Sequence, residues 1–396
     1  MKNNRIHWID FAKGIAILLV VLGHVSFMPE PILASFYTFH IPLFFFLSGL
    51  FLFNKKEAFG PFFLKKSRTL IGPYYKFLAA QFIVFYGAYK LGFNHAGKYI
   101  PGWSSLMGLS ELWFLFVLFF IHLFLFPFYR SNASPKKAVG GGILLILVVC
   151  LLKADCCSMN VPYEQFKGST LPFGGDLLLF GGSFVVLGMA ARGYLLEKKI
   201  PLWLAGVSMV VAIVCGVLNY RISGNHHAGF FEQFLGNPAF FYLSAISSIV
   251  VIIAMCQWLA EQGRDGDAVP GSSSGSGSGV CSGVGPSSVP GAEAASDFST
   301  PSGRHGAIAD FFRNHSLRRW LEWCGGSSLA IYAIHWMFVP FVCSPIFNYL
   351  VPLHPSILFK TACGLLAFLG ILALTLPAAW FVENKMRWMV GRVAAK

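Results

Sequence analysis

The chain has 396 residues, of which 56% are hydrophobic and only 12% charged, and its net charge is +13. Average soluble domains carry about a quarter charged residues, so this composition excludes a soluble globular protein. The basic residues lie in short clusters between apolar runs instead of one patch, which argues against nucleic-acid binding. The nine cysteines show no zinc-ligand spacing, and we expect no metal site.

Ten apolar windows along the chain are each close to the length that crosses a bilayer. The N-terminal window carries Asp10 and Lys13 and is followed by no signal-peptide cleavage site, so we interpret it as a retained first membrane helix. The ten predicted spans are residues 8–28, 35–53, 74–93, 111–129, 138–153, 171–191, 202–219, 238–259, 327–347 and 357–382.

The distribution of Lys and Arg predicts the orientation of these spans. With ten spans and a cytoplasmic N-terminus, most of the 30 basic residues fall in cytoplasmic segments, and the positive-inside rule is satisfied at every loop. The expected fold is therefore all-α: a polytopic membrane protein with about ten transmembrane helices and both termini cytoplasmic, located in the cell (inner) membrane.

A Gly/Ser-rich stretch divides the chain. Residues 261–306 have the composition of a flexible linker, which we place on the cytoplasmic side. Residues 1–260 would hold spans 1–8 of a transmembrane domain. Residues 307–396 would complete the same domain with an amphipathic interfacial helix followed by spans 9 and 10.

The first span carries ionisable residues, which are costly at membrane depth and rarely persist without a role. At 100° per residue, Asp10, Lys13 and His24 fall near one face, with Ile17 and Val20 between them. Lys13 and His24 are about 16 Å apart along this face. An isolated membrane His usually just bonds a neighbouring helix. The shared face with Asp10 and Lys13 favours instead a catalytic base at His24.

Other candidates are weaker when taken singly. Lys65 and Arg68 are three residues apart and suit phosphate recognition, although ordinary positive-inside charge explains them equally well. Ser327 is a helix-capping candidate before the ninth span. Further polar or interfacial residues near apolar runs are His40, Ser48, Trp113, His335 and Glu383.

Several motifs together resemble acyltransferase family 3, the integral membrane O-acyltransferases, in particular the branch related to fucose 4-O-acetylases. The motifs are IDFAKGIAILLVVLGH, FHIPLFFFLSGLF, KKSRTLIGPYY, LWFL, SLAIYAIHWMF and FVEN. The first two are highly specific in combination. The sequence departs from the family pattern at two places: Lys13 and Lys65 stand where the family usually has Arg, so two bidentate forks are lost.

The resemblance implies an enzyme that moves an acyl group, usually acetyl, from cytoplasmic acetyl-CoA to a sugar hydroxyl of a surface glycan or its lipid-linked precursor. His24 would be the catalytic residue, as general base or acyl carrier, supported by Asp10 and Lys13. Lys65 and Arg68 would bind the acyl-CoA, and His40, Ser48, Trp113, His335 and Glu383 would support or bind the acceptor. No tightly bound cofactor is expected.

A different class also fits the buried polar residues. A proton-coupled transporter or flippase for a glycan or small molecule would use Asp10, Lys13 and His24 as a proton relay. The absence of a convincing internal repeat in the sequence makes this alternative less favourable.

Overall fold

The structure is a computed structural model that describes residues 6–25, 27–52, 57–108, 110–130, 134–153, 171, 175–262, 315–354 and 356–392. Residues 263–314 lie outside this part of the chain. They include all but the first two positions of the predicted linker, residues 261–306, and the following residues 307–314. The described residues are mainly helical, and their β-pairing is confined to one isolated bridge between Gly229 and Phe234. The predicted all-α class is confirmed for them.

The described part of the chain forms fifteen α-helices, with a five-residue π-turn at Ser67–Ile71. They are α1 (His7–Gly23), α2 (Glu30–Tyr37), α3 (His40–Leu50), α4 (Phe59–Lys66), α5 (Gly72–Lys90), α6 (Trp103–Leu106), α7 (Trp113–Phe124), α8 (Phe126–Arg130), α9 (Pro135–Leu152), α10 (Gly175–Glu197), α11 (Leu202–Ile222), α12 (Pro238–Glu261), α13 (His315–Gly326), α14 (Ser328–Pro345) and α15 (Ile357–Lys385).

Seven helical segments among the described residues are long and apolar enough to cross a membrane. They are α2 with α3, α9, α10, α11, α12, α14 with the turns that follow it, and α15. This is the pattern of an integral multi-pass membrane protein. Each of the ten predicted spans overlaps a helix, but α1 and α7 are shorter than 18 residues, and α5, with 19 residues, is not among the seven.

Some predicted boundaries differ from the structure. The second span begins at Glu30, five residues early, and breaks at Thr38 and Phe39 between α2 and α3. The sixth runs over Gly175–Glu197, later than predicted. Ser327 occupies the N-cap position of α14, but its side chain makes no capping hydrogen bond, because α13 continues almost directly into α14.

Helix α1 lies at the centre of the bundle and contacts α3, α12, α13, α14 and α15. Phe11 and Val21 are fully buried in the core that these helices share. The predicted amphipathic helix forms as α13, and it packs against α1. Gly14 and Gly325 allow this close approach, since a Cβ at either would collide with a backbone oxygen of the other helix.

Candidate active site

The two ends of α1 hold different groups of polar side chains. We call the region around the last turn of α1 the His24 end, and the region around its first two turns the Lys13 end. Contacts between distant helices assign each predicted site residue to one of these two ends.

At the His24 end, two histidines from different helices meet. The Nδ1 atom of His24 lies 2.8 Å from the carbonyl oxygen of Val20 and 3.3 Å from Nε2 of His335. His335 in turn has its Nδ1 atom 2.7 Å from the carbonyl oxygen of Tyr332. A carbonyl oxygen only accepts, so both Nδ1 atoms carry the hydrogen. In the neutral tautomer, Nε2 of His24 therefore keeps its lone pair.

The free nitrogen of His24 faces an acid that the sequence interpretation missed. Oε2 of Glu111 lies 4.0 Å from Nε2 of His24, and the His24 side chain is 27% exposed, so a substrate can reach it. The Tyr332 hydroxyl donates to the carbonyl oxygen of Glu111 at 2.8 Å and thereby fixes the loop that carries this acid. The available signal was that Glu111 directly precedes the LWFL motif, which contains Trp113.

His40 lies at the same end, one layer behind His24. Its Nδ1 atom donates to the carbonyl oxygen of Phe36 at 2.9 Å, and its ring contacts Tyr37. The Tyr37 hydroxyl donates to the carbonyl oxygen of Gly23, the residue before His24, at 2.7 Å. His40 is thus joined to His24 through the backbone and Tyr37.

Trp113 also belongs to the His24 end but does not anchor the chain at a membrane surface. Its ring is buried and packs against Phe230 and Phe231. Since it begins α7 two residues after Glu111, this packing holds the start of that helix in place.

At the Lys13 end, the basic residues are mostly accessible. The Lys13 ammonium lies 5.1 Å from the centre of the Phe51 ring. Lys65 and Arg68 are exposed, and Lys65 reaches Glu57 at 3.8 Å. The π-turn that begins at Ser67 separates the two, so they do not share a regular α-helical face.

Ser48 lies nearer the Lys13 end than the His24 end. It follows His40 by eight residues of α3, about 12 Å of rise, and precedes Phe51 by one turn. Its hydroxyl is 2.9 Å from Nε2 of His122, a buried histidine of α7 that the sequence interpretation missed.

Glu383 is buried at the Lys13 end, where α15 finishes. Its carboxylate is paired with Arg392, and the Arg392 guanidinium also donates to the carbonyl oxygen of Gly326 at 3.0 Å. Arg387 donates to the Glu383 backbone at 3.1 Å. Glu383 therefore ties the last helix to the junction of α13 and α14, instead of meeting water.

A cavity of about 180 Å³ lies between the two ends. Ile17 and Val20 line it from α1, and these are the residues that the helical pattern places between Lys13 and His24. Leu70, just after Arg68, lines it near the Lys13 end, and Tyr332 lines it directly below His335. A largely apolar cavity thus lies between the polar groups of the two ends.

A comparison with protein families gives a match over residues 6–270 to the acyltransferase domain of acyltransferase family 3. The chain belongs to this family. No curated protein and no solved structure matches the chain. The protein is a membrane acyltransferase, which needs an acyl donor and an acceptor.

The acyltransferase family 3 match includes His24, Glu111, Lys65 and Arg68 but ends before His335. The structure nevertheless places α14 against α1, so that His335 completes the surroundings of His24. The helices described beyond residue 270 therefore pack into the same bundle as the region that matches the family.

Proposed function

We propose that this acyltransferase moves an acyl group, acetyl in the first instance, from cytoplasmic acyl-CoA to a sugar hydroxyl of a surface glycan or its lipid-linked precursor. The observation that carries the proposal is the largely apolar cavity along α1, which lies between the basic Lys13 end and the His24 end. The acetyl donor and the sugar acceptor also follow from the sequence motifs shared with the family.

The proposed orientation has ten membrane spans with both termini in the cytoplasm of the cell (inner) membrane. The Lys13 end then faces the cytoplasm, which contains the acyl-CoA, and the His24 end faces the opposite side, which contains the glycan acceptor. The positive-inside distribution of Lys and Arg supports this orientation.

The acyl-CoA donor binds at the Lys13 end in this proposal. The exposed side chains of Lys65 and Arg68 bind the phosphates of the CoA, with Arg68 able to donate two parallel hydrogen bonds. Asp10 and Lys13 lie in the first two turns of α1, at the same end of the bundle. The thioester arm then extends along the cavity, whose walls at Ile17 and Val20 offer no competing hydrogen-bonding side chains.

His24 acts as the general base in this proposal. Its Nε2 atom takes the proton of the acceptor hydroxyl while the hydroxyl oxygen attacks the thioester carbonyl carbon. The carbon–sulfur bond breaks, and the CoA sulfur leaves with the proton that His24 returns. The Nδ1–H bond to Val20 holds the ring in the required tautomer, and the nearby Glu111 carboxyl favours the transient imidazolium. His335 is a positioning residue for this ring.

An acyl-carrier role for His24 is the second form of the same mechanism. Nε2 would attack the thioester carbonyl carbon and release the CoA thiolate, and the acceptor hydroxyl oxygen would then displace the imidazole from the acyl group while its proton passes to the thiolate. His40 and Trp113 support the His24 end in both forms, whereas Ser48 and Glu383 belong with the Lys13 end.

The cavity provides the test. Purified protein in liposomes is given acetyl-CoA on the Lys13 side and a glycan acceptor, and CoA release is measured together with O-acetylation by mass spectrometry. Leu118→Trp fills the cavity, and we expect transfer to fall on the order of 10²-fold, because the thioester no longer reaches His24. Leu123→Trp, on the same helix but outside the cavity, should retain transfer.

Equal activity of the two variants would contradict the passage of the donor through this cavity. Uptake of substrate into the liposomes with no consumption of acetyl-CoA would instead identify the proton-coupled transporter or flippase. Thermal unfolding of both variants checks that the added volume has not simply unfolded the protein.

A further inference from the structure

The chain turns back after α15, in a segment that the family match does not reach. We call residues 386–392 the C-terminal turn. Met389 is buried in the core, and its backbone N–H donates to the carbonyl oxygen of Met386 at 2.8 Å. A second backbone hydrogen bond, from Arg392 to Arg387 at 3.2 Å, closes the turn. The C-terminal turn is therefore a packed part of the bundle at the Lys13 end.

This turn packs directly on the π-turn that carries Arg68. Gly391 has a φ of +74°, and a Cβ at this position would lie 2.5 Å from the carbonyl oxygen of Arg68. Both the left-handed backbone and the close approach require glycine. Leu70, two residues after Arg68, lines the cavity along α1. The C-terminal turn thus lies beside the segment proposed to bind the donor phosphates.

The C-terminal turn presents one large aromatic side chain. Trp388 is 55% exposed, whereas the next two residues, Met389 and Val390, are buried. The Lys76 ammonium donates to the carbonyl oxygen of Trp388 at 2.6 Å and lies 5.4 Å from the centre of its ring. This contact fixes the backbone and places a positive charge over the indole. The indole is thus held at the surface with more than half of its area open to a ligand.

Guanidinium groups lie on both sides of this indole along the surface. Arg387 directly precedes Trp388 and is exposed. Its Nε–H donates to the carbonyl oxygen of Glu383 at 3.1 Å, which uses one of its five N–H donors. Arg68, on the adjoining π-turn, is exposed as well. An aromatic face beside guanidinium groups suits a nucleotide, because a base stacks on the ring and phosphates accept from the planar forks.

A membrane anchor is the other common role of an exposed tryptophan. Trp380, about two turns earlier on α15, has the surroundings of such an anchor: it is 54% exposed, lies beside the exposed Phe381 and belongs to a helix long enough to cross a membrane. Trp388 differs, since it lies beyond the end of that helix, follows Arg387 and contacts the Lys76 ammonium. Its surroundings therefore match a charged aromatic ligand better than lipid chains.

We propose that the C-terminal turn binds the nucleotide portion of the acyl-CoA donor, with the adenine stacked on Trp388 and a phosphate on Arg387. The inference rests on the proposed function and adds a recognition site from a segment outside the family match. The order of the contacts agrees with the order of groups in CoA. The adenine lies at Trp388, the phosphates lie at Arg387 and Arg68, and the thioester arm enters the cavity past Leu70.

Direct labelling tests this site with the nucleotide alone. The full chain in phosphatidylcholine nanodiscs is irradiated with 8-azidoadenosine 3′,5′-bisphosphate, and peptide mass spectrometry locates the label. We expect label on residues 386–392, protection by acetyl-CoA, and no protection by S-acetylpantetheine, which has the thioester arm without the nucleotide. Trp388→Ala should lower labelling about tenfold through the loss of one stacking contact, and Trp388→Phe should retain most of it.

Two matched controls come from the end of α15. Trp380→Ala removes an equally exposed tryptophan and should leave labelling unchanged. Arg387→Gln should lower labelling about tenfold, whereas Lys385→Gln, which removes an exposed charge two residues earlier, should change it little. Equal labelling of Trp388→Ala and Trp380→Ala, or protection by phosphatidylglycerol as strong as that by acetyl-CoA, would overturn the inference. Thermal unfolding of each variant checks that the fold is retained.

Kinetics on the same nanodiscs separate this inference from the proposed function. We expect Trp388→Ala to raise the KM for acetyl-CoA about tenfold with an unchanged kcat for CoA release, because the adenine is remote from the reacting carbon. Label on the C-terminal turn of a protein that releases no CoA would support the nucleotide site and count against the transferase. Normal CoA release with no label on this turn would refute the nucleotide site alone.

Discussion

The two ends of α1 fix their polar side chains in opposite ways. At the His24 end, three imidazoles each bond a carbonyl oxygen about one turn earlier in their own helix: His24 to Val20, His40 to Phe36, and His335 to Tyr332. At the Lys13 end, Lys65 and Arg68 are exposed and extend from a π-turn. One end is rigid and buried, and the other is open and charged.

This difference matches two physical tasks. Proton transfer needs a nitrogen whose tautomer and direction are set before the substrate arrives, since small displacements cost rate. Binding a phosphate group tolerates mobile side chains, because Coulomb attraction acts over several ångströms and in many directions. In the proposed function, the cavity between the two ends would hold the thioester arm of the donor.

The largest effect should come from the rigid end. His24→Ala removes the base, and we expect transfer to fall roughly 10²- to 10⁴-fold, with the KM for acyl-CoA nearly unchanged. The measurement is acetyl-CoA-dependent transfer by purified protein. Full transfer in this variant would refute the role of His24. His226→Ala removes an exposed histidine at the same end and serves as the control.

Substitution of Glu111 should reduce transfer less than substitution of His24. Glu111→Gln keeps the size of the side chain but removes the charge 4.0 Å from Nε2 of His24. We expect kcat to fall roughly 10- to 100-fold with little change in the KM for acyl-CoA, because an imidazolium forms only during the reaction. A variant with a raised KM for acyl-CoA and an unchanged kcat would place Glu111 in donor binding.

The sequence predicts the parts of the site that depend on one helix. Helical periodicity places Ile17 and Val20 between Lys13 and His24, and both line the cavity in the structure. The same periodicity cannot show which distant helix meets His24. His335 is 311 residues away, and its contact depends on how α14 packs.

Two other residues show the same limit. Glu383 ends a long apolar helix, where a carboxylate usually meets water, yet the chain turns back so that Arg392 covers it. Ser48 is expected, like His40, to support or bind the acceptor, but its depth along α3 brings it to His122. In both cases the partner is set by packing or depth and not by local pattern.

At the open end, loss of a single charge should affect binding more than chemistry. Arg68→Gln removes an exposed guanidinium, and we expect the KM for acyl-CoA to rise roughly tenfold with kcat nearly unchanged. The increase in the KM for acyl-CoA should be smaller at high salt, because exposed charges are screened. Arg130→Gln, also exposed but on α8, is the matched control. A fall in kcat alone would argue against donor binding at Arg68.

The charge of Lys66 should have the smallest effect on the KM for acyl-CoA, and this effect should depend on pH. Burial, reinforced by repulsion from Lys65, lowers the pKa of Lys66 to about 8. Its charge is therefore present below this pH and lost above it, whereas a CoA phosphate with a second pKa near 6 stays ionised throughout. We expect the KM for acyl-CoA to rise about threefold between pH 7 and pH 9. Lys66→Arg should abolish this rise, because arginine stays protonated. The same rise in Lys66→Arg would show that another group titrates, and Lys76→Arg controls for an added guanidinium nearby.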